Sequence, residues 1–175
     1  MKYKVVAKHE NSAMCLVCGT KNDASAAARF YTVEREDGEQ VLLTIFTPQE
    51  RHQSYPGRMH GGMASTILDE AIGRAATILV PGIWGVTIDL NVKFRKPTPL
   101  DEDLYCESKI TKMGSRGFEG EGKLFRANGE ICATATAKYL TLTAEQISPE
   151  GMDDENWFMV HEDLPEYITI GSTGE

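Results

Sequence analysis

The sequence predicts an α+β protein in which an antiparallel sheet wraps around one long central helix. Three observations predict it. From Gly61 onward, Met63, Ala64, Ile67, Leu68, Ala71, Ile72, Ala75, Ile78 and Leu79 recur at helical spacing. Stretches rich in β-formers, separated by turn residues, lie on both sides of that run. The helical run is apolar around most of its circumference, which marks a helix buried inside a fold. One sheet wrapped around it is the simple way to cover such a helix.

Each element follows in order. Residues 1–28 read as an irregular segment containing Cys15-Leu16-Val17-Cys18-Gly19. Arg29–Glu34 and Gln40–Phe46 form a hairpin, with Asp37-Gly38 as its turn. Pro48, Pro56 and Gly57 make 48–60 a loop, and Pro81-Gly82 stops the helix. Four strands are predicted after the helix, at 84–95, 104–113, 117–127 and 130–142, running as a meander. In the first of these, Ile88, Leu90, Val92 and Phe94 alternate with Asp89, Asn91, Lys93 and Arg95, a pattern with one packed face. The division is therefore an N-terminal segment 1–28, a domain 29–144 and an acidic extension 145–175, which docks through its aromatic cluster.

The chain has 175 residues and a formal net charge of −8. Residues 145–175 hold nine Asp or Glu and no Lys or Arg, so the acidity belongs to the extension. The remainder can still present a basic patch to an anionic ligand. No long basic stripe with interleaved aromatics points to nucleic acid. The start of the chain lacks the apolar core of a secretory signal, and Asp69, Glu70 and Arg74 interrupt the longest apolar stretch. A soluble, cytoplasmic protein without a membrane partner is expected. Cys15-x-x-Cys18 offers half of a zinc site, with His9 as a further candidate, but no second CxxC or HxxxH follows. A turn with two reduced thiols is the expectation, with no metal and no cofactor.

The chemistry concentrates around the start of the helix. Gly61 and Gly62 let a ligand approach the backbone and leave unpaired N–H groups at the positive end of the helix dipole. Such donors can stabilise the oxyanion formed on a thioester carbonyl. Asp69 lies two turns further on in nearly apolar surroundings, so it must face water, a partner or a ligand. Either a catalytic role or a structural one in a polar pocket accounts for it. Glu70 has Arg74 four residues on as an ion-pair partner, whereas Asp69 has only Gly73, which leaves space above it.

His60-Gly61-Gly62 followed by Leu68-Asp69-Glu70-Ala71 resembles the PaaI-like hotdog-fold acyl-CoA thioesterases. The similarity continues through the strand from Gly85 to Pro97 and includes Ser54-Tyr55-Pro56-Gly57. The resemblance implies hydrolysis of an acyl-CoA to free acid and CoA. Asp69 would be general base or nucleophile, the Gly61 N–H would polarise the carbonyl, and His60 would shape that loop. Thr87 would help hold the attacking water. Ser54, Gly62 and Gly73 would line the substrate. By their own chemistry Lys93, Arg95, Lys96 and Arg116 are the candidates for CoA phosphate contacts, with a solvated strand end as the alternative. In that family the groups come from two subunits, so a homodimer, or a dimer of dimers, is implied. Two other readings stay open: an acyl-thioester dehydratase or hydratase using His60, and a non-catalytic acyl-CoA sensor.

Overall fold

The computed structural model describes residues 1–149, 156–160 and 163–171. Its strands are β1 (Lys2–Lys8), β2 (Asn11–Ser12), β3 (Arg29–Glu34), β4 (Gln40–Phe46), β5 (Trp84–Phe94), β6 (Leu104–Met113), β7 (Gly117–Arg126), β8 (Ile131–Leu142), β9 (Trp157–Phe158) and β10 (Tyr167–Thr169). The long helix is α1 (Gly61–Leu79), and α2 (Ala144–Ile147) is a single turn. Eight strands form one antiparallel sheet in the order β10-β1-β3-β4-β6-β7-β8-β5, and β2 pairs separately with β9.

Helix α1 lies against this sheet and buries Ala64, Ile67, Leu68, Ala71, Ile72, Ala75 and Ala76. Close approach is made possible by glycines on β7. A Cβ added at Gly120 would stand 2.6 Å from Ile72 Cγ2 and 2.9 Å from the Lys109 carbonyl. One neighbour is backbone and cannot swing aside. Gly120→Ala is therefore expected to cost about 1–3 kcal/mol by overpacking. Thermal denaturation should show Tm lowered by roughly 3–10 °C.

Three sequence expectations need correction. Lys2–Lys8 is a strand and not irregular chain: it pairs with β3 and with β10. The four strands after α1 are not a simple meander. β5 pairs with β8, so it ends the sheet, and the β5–β6 connection crosses to the middle. The alternation in β5 is broken by a bulge between Thr87 and Asp89. Leu90 and Val92 pack against the core, but Ile88 and Phe94 are 65% and 58% exposed.

The C-terminal extension packs on the fold through several contacts, among them the pairing of β9 with β2 and the Ala13 N–H donated to the Asn156 carbonyl at 3.0 Å. Trp157 meets Trp84 edge-on at 5.3 Å between ring centroids, and β10 extends the sheet beside β1. Its acid run at 150–155 lies outside the described residues. Among the described residues, no helix is long and apolar enough to cross a membrane.

Candidate active site

The loop before α1 is set by hydrogen bonds from its own residues. His52 is buried: its Nδ1 accepts the Gln49 N–H at 3.0 Å, and its carbonyl accepts the His60 N–H at 2.8 Å. His60 is the N-cap of α1, and its Nδ1 accepts the Gly62 N–H at 2.8 Å. That role requires Nδ1 to be unprotonated and leaves Nε2 facing solvent as the donor. A side chain at Gly62 would collide with this imidazole at 2.8 Å. The cap thus uses the Gly62 amide. The Gly61 N–H makes no hydrogen bond among the described residues and remains available at the positive end of the helix.

Two turns along α1, Asp69 is half-buried. Its Oδ1 accepts the Thr87 hydroxyl at 2.7 Å. The Tyr139 hydroxyl donates to the Asp69 carbonyl at 2.7 Å and approaches Oδ1 at 3.3 Å. Oδ2 has no hydrogen bond among the described residues, so it keeps its lone pairs for a ligand or a water. Burial, and then the negative charge of Asp69, push the Tyr139 phenol well above its ordinary value. Tyr139 therefore remains a donor at any working pH.

Thr87 reaches the helix because of the bulge. Before it, Thr87 pairs with Tyr139; after it, Asp89 pairs with Lys138, so Ile88 is the extra residue. An odd-numbered residue before the bulge and even-numbered ones after it consequently face α1.

Gly73 admits Tyr139, whose ring would lie 2.9 Å from a Cβ at that position. The space expected above Asp69 is filled by this ring, which also stacks on Phe118 at 4.8 Å. Sequence reasoning missed Tyr139; its distance from Asp69 in the chain left no local signal.

The remaining candidates are more scattered. Ser54 sits in an exposed turn and donates its N–H to the Arg58 carbonyl at 2.9 Å. Lys93 and Arg95 line a groove of about 390 Å³ that also includes Asn91, Lys109, Lys123 and Thr134. They lie on the sheet face opposite to Leu90 and Val92, and so opposite to α1. Lys96 is exposed just past β5. Arg116 precedes β7, where Gly117 aligns with Leu140 and Leu140 with Val86. At about 3.3 Å per residue, that places Arg116 roughly 20 Å or more from Lys93. One chain does not gather the four cations together.

Within one chain, Gly61 and Asp69 are also apart. Eight residues of helix separate them by about 12 Å along the axis. An attacking group and an oxyanion donor must both lie about 3 Å from the reacting atoms. One chain's Asp69 and Gly61 cannot therefore serve the same thioester. The same argument separates His60 from Asp69.

A second group of chemically capable side chains lies on the other side of Glu70. The ligand atoms of Cys15, Cys18 and Glu70 all fall within 4.8 Å of one another. The Cys15 thiol is pulled down to about 6, chiefly by a hydrogen bond from Cys18, while that bond and burial push Cys18 up.

A sheet wrapped on one helix, with a carboxylate facing out of that helix and a glycine pair at its start, defines a hotdog fold. The comparisons agree. Residues 56–133 match the family model described as Thioesterase superfamily. Human acyl-coenzyme A thioesterase 13 is 28% identical over 86 residues, or 49% of this chain and 61% of that protein. The chain thus spans about three fifths of the length of that curated relative. A crystal structure of a thioesterase superfamily protein matches 72% of this chain and 59% of its own, with 25% identity and a TM-score of 0.62. A Bacillus halodurans protein crystallised with CoA matches 57% of this chain and 66% of its own, with 27% identity and a TM-score of 0.53.

Proposed function

We propose that this chain hydrolyses an acyl-CoA thioester to the free carboxylic acid and CoA, at a site shared between two copies. The observation that carries the reading is the carboxylate of Asp69. Thr87 and Tyr139 hold one of its oxygens, and the other has no hydrogen bond among the described residues. A carboxylate oriented in this way can take a proton from water or attack a thioester carbonyl itself. The Gly61 N–H is the donor for the oxyanion, and the His60 cap directs it by taking up Gly62. In general-base form, Oδ2 takes the proton of a water whose oxygen adds to the carbonyl carbon. Collapse of the adduct expels the CoA thiolate. In nucleophile form, the carboxylate displaces the thiolate, and water then hydrolyses the resulting anhydride.

The distance between Gly61 and Asp69 supports a site completed by a second copy, and the open edge of β5 offers a seat for it. β5 ends the sheet, and no described strand covers its outer edge. Val86, Ile88 and Phe94 are exposed along it, which is unusual for an edge strand left to solvent. Pairing two β5 strands would cover these side chains and bring the loop of one copy towards the Asp69 of the other. The CoA match of the Bacillus halodurans relative supports the ligand class. Lys93, Arg95 and Lys96 are the proposed phosphate contacts, as charged donors near that edge.

A free-thiol assay on a panel of acyl-CoAs tests the reading. Stoichiometric release of CoA from at least one substrate is expected. Saturable binding of acyl-CoAs with no thiol released from any of them would instead point to the sensor. Consumption of an unsaturated acyl-CoA without thiol release would point to the hydratase.

A further inference from the structure

The segment Cys15–Gly19 is far more ordered than two idle thiols require. The Gly19 N–H donates to the Cys15 carbonyl at 2.8 Å, and a Cβ at Gly19 would stand 2.3 Å from that oxygen. Only glycine closes this turn. The Val17 N–H then points at Cys15 Sγ at 3.3 Å, and the Ser12 N–H at Cys18 Sγ at 3.3 Å. Asn11 is buried and fixes the segment from below, donating to the Cys18 and Ala28 carbonyls at 3.0 and 3.1 Å. Backbone N–H groups directed at both sulfurs are an arrangement that favours thiolates, the form in which cysteine binds metal.

From α1, Glu70 brings an oxygen to the two sulfurs, all three ligand atoms lying within 4.8 Å. Arg74 stands behind them. It pairs with Glu70 Oε1 at 2.6 Å, approaches Cys18 Sγ at 3.8 Å and donates to the Glu10 carbonyl at 2.6 Å. Its guanidinium also lies over the rings of Phe30 and Trp157, at 4.1 and 4.9 Å. The cation is therefore fixed from five directions and is 9% exposed.

We infer that Cys15, Cys18 and Glu70 form a binding site for one divalent ion of the zinc class, with Arg74 as its outer-shell partner. The ligand types fit: thiolate sulfur with one carboxylate suits zinc and not calcium or magnesium. The charges fit as well, because two thiolates, one carboxylate, a divalent cation and one guanidinium sum to zero. Three protein ligands leave a fourth tetrahedral position for water, on the side where Cys15 and Glu70 are half-exposed. Binding releases to solvent the protons that the two cysteines still carry and involves no change of oxidation state. The ion would tie the N-terminal segment to α1 at the residue next to Asp69.

The test uses the full chain, reduced and freed of metal by a chelator, and titrated with Co²⁺ alone. The expected result is uptake of one equivalent with a thiolate-to-cobalt charge-transfer band, which Zn²⁺ then abolishes by displacement. Zn²⁺ should also raise Tm. Cys15 is half-exposed, so Cys15→Ser should fold and lose both the band and the Tm shift. Glu70→Gln should weaken Co²⁺ binding roughly tenfold or more. The assignment is overturned if the wild-type chain gives no band or if Cys15→Ser keeps it. It is also overturned if Glu70→Gln binds as tightly, or if the thiols form a disulfide in place of taking up metal. None of these readouts depends on thioester hydrolysis.

Discussion

Replacing Asp69 by Asn is expected to lower kcat/KM for acyl-CoA hydrolysis by about 10²–10⁴-fold, the usual contribution of a positioned base. That loss corresponds to roughly 3–5 kcal/mol of transition-state stabilisation. The substitution isolates the chemistry. Asn keeps an oxygen for the Thr87 and Tyr139 hydroxyls, and replaces the free Oδ2 with an NH₂ that can neither accept a proton nor attack carbon. Packing around Gly73 and Phe118 is unchanged, so circular dichroism should match the wild type. Steady-state kinetics should place the loss in kcat with KM nearly constant, as for an interaction made only in the transition state. A change of less than about threefold would remove Asp69 from the reaction. It would leave the Thr87–Asp69–Tyr139 contact a structural one.

The second large effect is expected from Gly61→Pro. Gly61 is the first residue of α1, where proline is well tolerated because its missing N–H is not used by the helix. The residue before a proline must be extended, and His60 already is, at φ −62° and ψ 134°. Among the described residues, a Cβ at this position meets the Phe94 ring alone, at 3.3 Å, a contact that a ring shift of a few tenths of an ångström relieves. The change therefore deletes one N–H and little else. Loss of a single oxyanion donor costs about 10²–10³-fold in kcat. Kinetics with an unaltered Tm would assign that loss to the donor. Full activity in Gly61→Pro would show that another group polarises the carbonyl.

Parts of this architecture were legible in the sequence for a physical reason. The run Met63 to Leu79 has one period throughout, and the strand and turn residues around it leave few other arrangements. The Glu70–Arg74 pair was legible because it is local, four residues apart on one helix face. What was not legible depends on pairing between distant segments. β1 carries lysines on its outer face and acquires strand geometry from β3 and β10, neither adjacent to it in sequence. The place of β5 beside β8 is equally non-local. Thr87 and Tyr139 converge on Asp69 only through that pairing and its bulge. Glu70 looked fully explained by Arg74, and nothing near it in the chain announced the two cysteines across the fold.

The central claim is a hydrolytic site built from the Asp69 of one copy and the Gly61 of another. Mixing the two variants tests it most directly. Asp69→Asn and Gly61→Pro chains, each nearly inactive alone, are unfolded together, refolded and assayed for thiol release from acyl-CoA. If the site is shared, half of the randomly assorted dimers are mixed, and each mixed dimer holds one intact site. About a quarter of the wild-type rate should then return. If Asp69 and Gly61 of the same chain act together, no mixed dimer holds an intact site. The rate would stay at the level of the separate variants, contradicting the account.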